Sequence, residues 1–313
     1  MNCIITGGAG FIGSHLSEYL IKNNKYGKIF IIDNLVRTNN LRNIKHLIEK
    51  YPEKIEFIYG DVSWFNFTTI PNVSCLFHLA ATRINRCVQY PEEGHRYITD
   101  SGYNIVNYCA NNNVYLYFAS SASVYASPKR LPILESDPCE PPTLYGSSKL
   151  YTENIIRNFS HTKNLRYSIN RYFSVYGPRM DSTGVYTEVI FNWLNNIFHG
   201  NHDIIVYGDP HQKILDLVYV DDVIKAISKS IDAGKNEVYN VSTEYGTTLN
   251  ELINIIEILA GTSLNIIQKP DTRTDIEAKR IGSTKNLRAI EWTPEISITE
   301  GIKKTYEWIS TLE

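Results

Sequence analysis

The sequence predicts an α/β fold, with a doubly wound parallel sheet and a smaller α/β lobe. In the first half of the chain, short apolar runs rich in β-branched residues alternate with stretches of helical spacing. Continuous apolar strands that alternate with helices are typical of a parallel sheet covered on both faces. Beyond Tyr172 this alternation gives way to longer loops, and 313 residues exceed the usual size of one compact core. We therefore expect one domain over 1–172 plus about 214–243, and a second over about 173–213 and 244–313.

The elements follow from these patterns in chain order. The predicted strands are the apolar runs Asn2–Thr6, Lys28–Asp33, Ile55–Tyr59, Cys75–Leu79, Tyr115–Ser120 and Arg166–Tyr172. The predicted helices are Gly10–Asn23, Asn40–Lys50, Pro91–Asn112, Tyr145–Ser160, Val185–Phe198, Asp221–Ile231, Thr248–Leu259 and Ile298–Leu312. In the third of these helices one stripe of residues is apolar or small, which predicts a face packed against the sheet: Ile98, Gly102, Ile105, Val106 and Cys109.

The composition is that of an ordinary globular protein. The net charge is −2, from 31 basic and 33 acidic residues, which gives no electrostatic footprint for nucleic acid or an anionic membrane. Among the scattered cysteines, Cys3, Cys75 and Cys109 fall in apolar contexts that predict core positions rather than metal or disulfide roles. A strand from Asn2 leaves no room for a signal peptide, and no apolar run approaches the ~20 residues of a membrane span. These features predict a cytoplasmic protein without a metal.

A glycine-rich turn joins the first strand to the first helix. Gly7, Gly10 and Gly13 recur every three residues, and segment 8–13 also fits the pattern G-x-G-x-x-G. Glycines permit a tight turn and let the backbone approach a pyrophosphate, which the helix N-terminus stabilises. Asp33 ends the next strand, where a carboxylate can accept hydrogen bonds from the adenosine ribose. The turn and this aspartate predict a Rossmann-type domain that prefers NAD over NADP.

Some of the cofactor assignments have alternatives. Asp33 can instead cap a helix, and Arg37 is compatible with the 2′-phosphate of NADP. Asp61 and Val62 follow the third strand, where they can contact the adenine, although a simple turn aspartate fits the same position. Leu79-Ala80-Ala81 lie at a strand end where the backbone must pass the cofactor.

A tyrosine and a lysine lie one helical turn apart in the segment Tyr145-Gly146-Ser147-Ser148-Lys149. Residues four apart share one helix face, so the ammonium can lie beside the phenol and favour its ionised form. Such a phenol beside a nicotinamide can move a proton while a hydride moves. The pair therefore predicts redox chemistry at an alcohol.

These motifs, in this order, resemble the extended short-chain dehydrogenase/reductase family, and specifically its NAD-dependent nucleotide-sugar epimerase/dehydratase branch. The resemblance covers nearly the whole chain and implies a smaller lobe that binds the nucleotide sugar. The matching segments are Thr6–Gly13, Asp33-Asn34, Gly60–Val62, His78–Ala81, Ser120–Tyr125, Tyr145–Lys149, Arg171–Arg179, Tyr207–Asp209, Val218–Asp222 and Tyr239–Val241.

The resemblance also implies roles for individual residues. The catalytic serine is Ser121, the base is Tyr145 and the assisting cation is Lys149, while Ser120 and Ser123 compete with Ser121 by position alone. The implied contacts with NAD are Gly7, Gly10, Phe11, Ile12, Gly13, Asp33, Asn34, Asp61, Val62, Leu79, Ala80, Ala81, Tyr145, Lys149 and Tyr172.

The positions after Ser121 separate the branches of this family. Its dehydratases carry an Asp-Glu pair there and its uronate decarboxylases a glutamate at the second position, whereas this chain has Ala122 and Ser123. The resemblance therefore implies a 4-epimerase that acts through a transient 4-keto sugar. A nucleotide-sugar 4-dehydrogenase, a 4-ketosugar reductase or a dehydratase is the alternative. An NAD-binding regulator without catalysis is disfavoured because the pair Tyr145 and Lys149 is present.

For the nucleotide-diphosphate sugar, the resemblance implies contacts from Arg83, Ser123, Ser174, Arg179, Thr187 and Arg273. Segment 180–189 resembles a subgroup that includes uronic-acid 4-epimerases, so a sugar carboxylate is one candidate partner of Arg83 or Thr187. A surface ion pair is the alternative for Arg83. The chain departs from the family at Ser174, where asparagine is common, and at Leu215, where an arginine contacts the diphosphate; Lys213 is the candidate replacement.

Two predicted helices, Pro91–Asn112 and Tyr145–Ser160, match the helices that pair in dimeric relatives as a four-helix bundle. The resemblance thus implies a homodimer, with no nucleic-acid partner and no membrane partner.

Overall fold

The structure is a computed structural model, and it describes residues 1–36, 40–125, 128–180, 188–271 and 279–312. The strands are β1 Asn2–Thr6, β2 Ile29–Asp33, β3 Ile55–Tyr59, β4 Val73–His78, β5 Tyr115–Ser121, β6 Tyr167–Tyr172, β7 Ser174–Tyr176, β8 Asp203–Tyr207, β9 Ile214–Leu215, β10 Leu217–Tyr219, β11 Glu237–Val241, β12 Thr247–Thr248, β13 Asn265–Lys269 and β14 Lys279–Arg280. The α-helices are α1 Phe11–Lys22, α2 Lys45–Lys50, α3 Ile84–Gln89, α4 Pro91–Gly94, α5 Ser101–Asn111, α6 Leu144–Lys163, α7 Glu188–Phe198, α8 Val220–Asp232, α9 Leu249–Ala260, α10 Lys285–Arg288 and α11 Ile298–Ile309.

A seven-stranded sheet dominates the fold, in the order β11-β6-β5-β4-β1-β2-β3. The neighbouring pairs β3/β2, β2/β1, β1/β4 and β4/β5 run parallel, with Thr6 of β1 aligned between Ile32 and His78. The chain leaves β1 towards one side of the sheet and later returns to β4 on the other side. Ligands of open α/β sheets bind at such a switch point, outside the carboxyl ends of the strands. The predicted α/β fold with a doubly wound sheet is confirmed.

The hydrophobic core of the large sheet contains the residues that the sequence pattern predicted to face inward. The residues of the predicted stripe are all buried, and α5 packs Ile105, Val106 and Cys109 into one cluster with β-strand residues such as Ile4 and Leu116. Cys3 and Cys75 are fully or almost fully buried and aligned on β1 and β4, and burial raises the pKa of the Cys3 thiol. These cysteines therefore behave as core residues, as predicted.

The structure differs from the predicted helices in two places. The stretch Pro91–Asn112 is not one α-helix, because a π-helical segment, His95–Asp100, separates α4 from α5. The stretch Asn40–Lys50 consists of a 3₁₀ turn, Asn40–Asn43, followed by α2. The predicted stripe from Ile98 to Cys109 stays buried across the first of these changes, so the hydrophobic pattern did not reveal it.

The chain divides into two compact units. Unit 1 comprises 1–126, 138–171 and 224–239, and unit 2 comprises 127–137, 172–223 and 240–313. This division differs from the expected domains at four places, because 127–137, Tyr172, 214–223 and 240–243 all group with unit 2.

Unit 2 contains several short strands that the sequence did not predict. β10 pairs with β7, β13 pairs with β8, and β9 lies between β12 and β14. These strands have two to five residues, too few for a periodic pattern to stand out. Asp216, between β9 and β10, accepts hydrogen bonds from Thr243 and from the backbone of Gly282, and burial raises its pKa to about 6. This carboxylate therefore joins three separate segments of unit 2.

Among the residues that the structure describes, no helix combines the length and apolar character needed to cross a membrane.

Candidate active site

The glycine turn after β1 is shaped by close backbone packing. Gly7 has φ +69°, and a Cβ there would lie 2.7 Å from the backbone nitrogen of Ala80. A Cβ on Gly13 would overlap the carbonyl oxygen of Gly7. The turn leads into α1, whose N-cap residue, Gly10, makes no side-chain capping bond. The turn therefore has the form expected of a pyrophosphate cradle, with backbone amides of the helix N-terminus facing a ligand.

Asp33 at the end of β2 supports this turn. One carboxylate oxygen accepts a hydrogen bond from the backbone of Ala9 at 3.2 Å, and the other accepts one from Leu35 at 2.9 Å. Asn34 accepts a bond from the backbone of Val36 at 3.3 Å. Asp33 thus bonds both to the glycine turn and to its own loop, whereas Arg37, the residue compatible with NADP, lies outside the described residues.

Asp61 after β3 has a partner that the sequence did not reveal. Arg96, in the π-helical segment, donates a hydrogen bond to its carboxylate at 2.6 Å and lies 3.9 Å from the ring centroid of Trp64. Asp61 also accepts a bond from the backbone of Ser63 at 3.0 Å, and Val62 is buried beside it. If Asp61 contacts the adenine, it must do so while its carboxylate is also bound to Arg96.

The end of β4 carries His78 and the segment Leu79–Ala81. His78 is buried, and its Nδ1 lies 2.8 Å from the hydroxyl of Thr6. Burial, and then the charge of Lys149, lower the pKa of His78 well below its usual value, so its ring is neutral near pH 7. His78 is a core residue, while Ala80 touches the glycine turn.

The three neighbouring serines at the end of β5 have different surroundings. Ser120 is buried and donates a hydrogen bond to Glu153 at 2.6 Å. Ser121 is half-buried, and its hydroxyl accepts a bond from the backbone of Ser123 at 3.1 Å and donates to the Ser123 hydroxyl at 3.1 Å. Ser120 is therefore committed to the interior. This favours Ser121, with Ser123 beside it, as the reacting hydroxyl.

The helix α6 brings Tyr145 and Lys149 to this strand end. Its N-cap residue, Thr143, accepts a hydrogen bond from the backbone of Gly146 at 3.1 Å. A Cβ on Gly146 would overlap the carbonyl oxygen of Ser123, so glycine allows the helix to pack directly against the serine turn.

Lys149 is almost fully buried, with its ammonium donating to the carbonyl of Ala119 at 2.8 Å. The same nitrogen lies 5.9 Å from the ring centroid of Tyr145. Helix α6, which carries Tyr145 and Lys149, therefore packs against the same end of β5 that carries Ser121.

Beneath them lies a buried ion pair that sequence reasoning missed. Glu153 and Arg171 form two hydrogen bonds, of 2.9 Å and 2.6 Å, and Arg157 donates to Glu153 at 2.7 Å. Burial alone would raise the pKa of Glu153, but the bonds and charge of Arg171, with Ser120 and Arg157, hold it below its usual value. The only sequence signal is that Glu153 stands four residues after Lys149 on the same helix face.

The remaining candidates belong to more than one part of the chain. Arg83 is half-buried at the N-cap position of α3 in unit 1. In unit 2, Tyr172 is buried, Ser174 begins β7, and Arg179 has φ +65°. Thr187 and Arg273 lie outside the described residues.

Two cations lie near Leu215, the position at which the family has an arginine that contacts the diphosphate. Lys213, the candidate replacement, forms an ion pair with Asp271. Arg280 of β14 is aligned with Leu215 of β9, so a half-buried arginine lies beside the position of that lost arginine.

Comparison with known proteins agrees with this arrangement. The model of the NAD dependent epimerase/dehydratase family matches residues 3–242. The chain belongs to this family. A relative from Methanocaldococcus jannaschii named "putative UDP-glucose 4-epimerase" is 34% identical over 98% of this chain and 97% of that protein.

Solved structures of family members are similar over the whole chain. UDP-glucose 4-epimerase of Thermotoga maritima, crystallised with UDP-glucose, has a TM-score of 0.90 and 28% identity, with 100% of both chains covered. UDP-glucose 4-epimerase of Thermus thermophilus, crystallised with NAD, has a TM-score of 0.87 and 26% identity, again with 100% of both chains covered. The cofactor of this family is NAD, and the glycine turn, the start of α1 and Asp33 fit that dinucleotide.

Proposed function

We propose that this family member is an NAD-dependent UDP-sugar 4-epimerase. The observation that supports this proposal is the packing of α6, which carries Tyr145 and Lys149, against the end of β5 that carries Ser121, in a unit that also contains the glycine turn. The names of the relatives at 26–34% identity support it. In this reading unit 1 binds NAD and unit 2 binds the nucleotide sugar.

The residues at β5 supply the proton chemistry. Tyr145, as phenolate, accepts the proton of the sugar C4 hydroxyl, and the buried ammonium of Lys149 stabilises the negative charge on the phenol. Ser121 shares a proton with the same sugar oxygen. NAD, held by the glycine turn and Asp33, would supply the hydride acceptor and donor for C4. Because the 4-keto sugar must present its other face before hydride returns, small side chains such as Ala81, Ala122 and Ser123 leave it room to turn.

The same inventory disfavours the other reactions of the family. Elimination of water needs an added acid and base, and positions 122 and 123 carry no carboxylate. A dehydrogenase or reductase would need NAD to exchange in every turnover, whereas the relatives described above are named 4-epimerases. A uronic acid is one candidate sugar, with Arg83 or Thr187 as the partner of its carboxylate.

The proposal is tested by incubating the purified protein with UDP-glucose, UDP-N-acetylglucosamine, UDP-glucuronic acid and UDP-arabinose, without added cofactor. We expect one of them to be converted to its C4 epimer, as resolved by chromatography and NMR, and NAD to be released when the protein is denatured. A stable 4-keto product, or a requirement for external NADH, would contradict epimerisation.

We further propose that the protein is a cytoplasmic homodimer, paired through the outer faces of α5 and α6. Tyr103 and Tyr151 on these helices are 50% and 42% exposed, so these large side chains are available to pack against a second copy. Sedimentation equilibrium should give a mass twice the 35.8 kDa of the chain. A single-chain mass at micromolar concentration would overturn this.

A further inference from the structure

Helix α6 is attached to the end of β5 at three successive points. Gly146 packs against the carbonyl of Ser123, Lys149 donates to the carbonyl of Ala119 at 2.8 Å, and Glu153 accepts from Ser120 at 2.6 Å. The three helix residues are spaced by three and four positions, so they lie on one face. The first two attachments involve residues of the Tyr145 segment. The third, which involves Glu153 and Ser120, has no part in the chemistry proposed above.

Glu153 is held in place by charge rather than by apolar packing. Its side chain has no exposure and that of Arg171 has 2%, and the pair forms a two-point contact in the interior. Planar guanidinium and carboxylate groups joined at two points have a defined relative orientation. The carboxylate oxygen that binds Ser120 is therefore fixed relative to β6, the strand from which Arg171 comes.

The same arginine reaches the other side of the serine turn. Its Nη1 donates to the hydroxyl of Tyr125 at 2.8 Å, and Tyr125 directly follows the short turn Ala122–Val124. Ser120 precedes Ser121, and Tyr125 comes four residues after it. The segment that carries Ser121 is thus tied at both ends to one ion pair.

A buried ion pair of this kind is poorly explained by stability alone. The cost of removing two charges from water often equals or exceeds their attraction, and apolar residues of similar volume commonly serve as well. An ion pair that also binds two other side chains holds those side chains in a fixed geometry. Here the two side chains, Ser120 and Tyr125, lie on either side of Ser121 in the sequence.

We propose that Glu153, paired with Arg171, is a positioning residue of the reaction: through Ser120 and Tyr125 it sets the position of Ser121 relative to Tyr145. This rests on the proposed function for its effect on catalysis. Glu153 and Arg171 align the reacting groups and do not contact the substrate.

Two substitutions test the proposal, and each removes one hydrogen bond to the ion pair while the pair of Glu153 and Arg171 stays intact. In Ser120→Ala the bond to Glu153 is lost, and in Tyr125→Phe only the hydroxyl that accepts from Arg171 is lost. We expect each to lower kcat roughly 10-fold and the double variant roughly 100-fold, because displacements near 1 Å have effects of this order. KM and the NAD retained on purification should stay close to the wild-type values, whereas the thermal midpoint should fall because buried hydrogen bonds are lost.

Ser168→Ala is the matched control. Ser168 is buried on β6 and bonds to the hydroxyl of Tyr115 at 2.7 Å and the carbonyl of Ser230 at 2.9 Å, so its loss costs at least as many hydrogen bonds. It should leave kcat unchanged. The proposal is overturned if Ser120→Ala and Tyr125→Phe keep the wild-type kcat, if they change only KM, or if Ser168→Ala lowers kcat equally.

A second measurement separates this proposal from the proposed function. If the wild-type protein epimerises no UDP-sugar, the proposed function fails, and crystal structures of the wild type and the double variant decide the positioning role. A change in the distance between the Ser121 and Tyr145 hydroxyls supports it, and an unchanged distance refutes it.

Discussion

Replacing Tyr145 by phenylalanine is expected to lower kcat for sugar epimerisation by roughly 10³, with little change in KM or in retained NAD. The substitution removes only the hydroxyl that takes the C4 proton. The ring, and the ammonium of Lys149 at 5.9 Å from its centroid, remain in place. Steady-state rates on the preferred UDP-sugar, measured across pH, would check this.

The matched control for that experiment is Tyr19→Phe. The hydroxyl of Tyr19 on α1 donates to Ser228 at 3.3 Å, so this variant also loses one phenolic hydrogen bond. It should keep the wild-type kcat. An undiminished kcat in Tyr145→Phe would remove the proposed base from the reaction.

The variant Glu153→Gln should produce the largest loss of stability. Removing one partner of a buried ion pair costs about 3–5 kcal/mol of unfolding free energy, because the other charge stays buried without compensation. Arg171 would be left in that position, with its side chain 2% exposed. Equilibrium unfolding in urea measures this loss.

The pH dependence of this loss has a definite sign. Because the folded pKa of Glu153 is lowered, its stabilising contribution is fully present above the ordinary glutamate pKa of about 4.3. The contribution is lost as the pH falls through the lowered value. The difference in unfolding free energy between wild type and Glu153→Gln should therefore shrink only in strongly acidic solution.

Arg157→Gln is the comparison variant for stability. Arg157 bonds to the same carboxylate, but its side chain is 32% exposed and the pair with Arg171 survives its removal. We expect a loss of about 1 kcal/mol or less. Equal losses of unfolding free energy in Glu153→Gln and Arg157→Gln would contradict a larger contribution from the buried pair of Glu153 and Arg171.

The parts of the site that the sequence predicted are those in which spacing along the chain sets the geometry. The glycine turn, Asp33 at a strand end and the pair Tyr145 and Lys149 all depend on neighbours within one turn or one β-α connection. Backbone geometry then fixes where they point. Their chemical roles follow from residue type.

The parts that the sequence did not predict depend on contacts between distant segments. Ser120 and Ser121 could not be told apart, because the partner that turns Ser120 inward, Glu153, lies 33 positions later. Arg96, within the π-helical segment, binds Asp61, which lies 35 positions earlier in the chain. Neither contact leaves a periodic signal.

Epimerisation in D₂O, followed by proton NMR of the product, tests the central claim most directly. In this account the hydrogen on C4 leaves as hydride and returns, and only the proton handled by Tyr145 exchanges with solvent. The product should therefore keep protium at C4. Deuterium at that carbon would mean that the hydrogen left as a proton, and it would contradict the proposed chemistry.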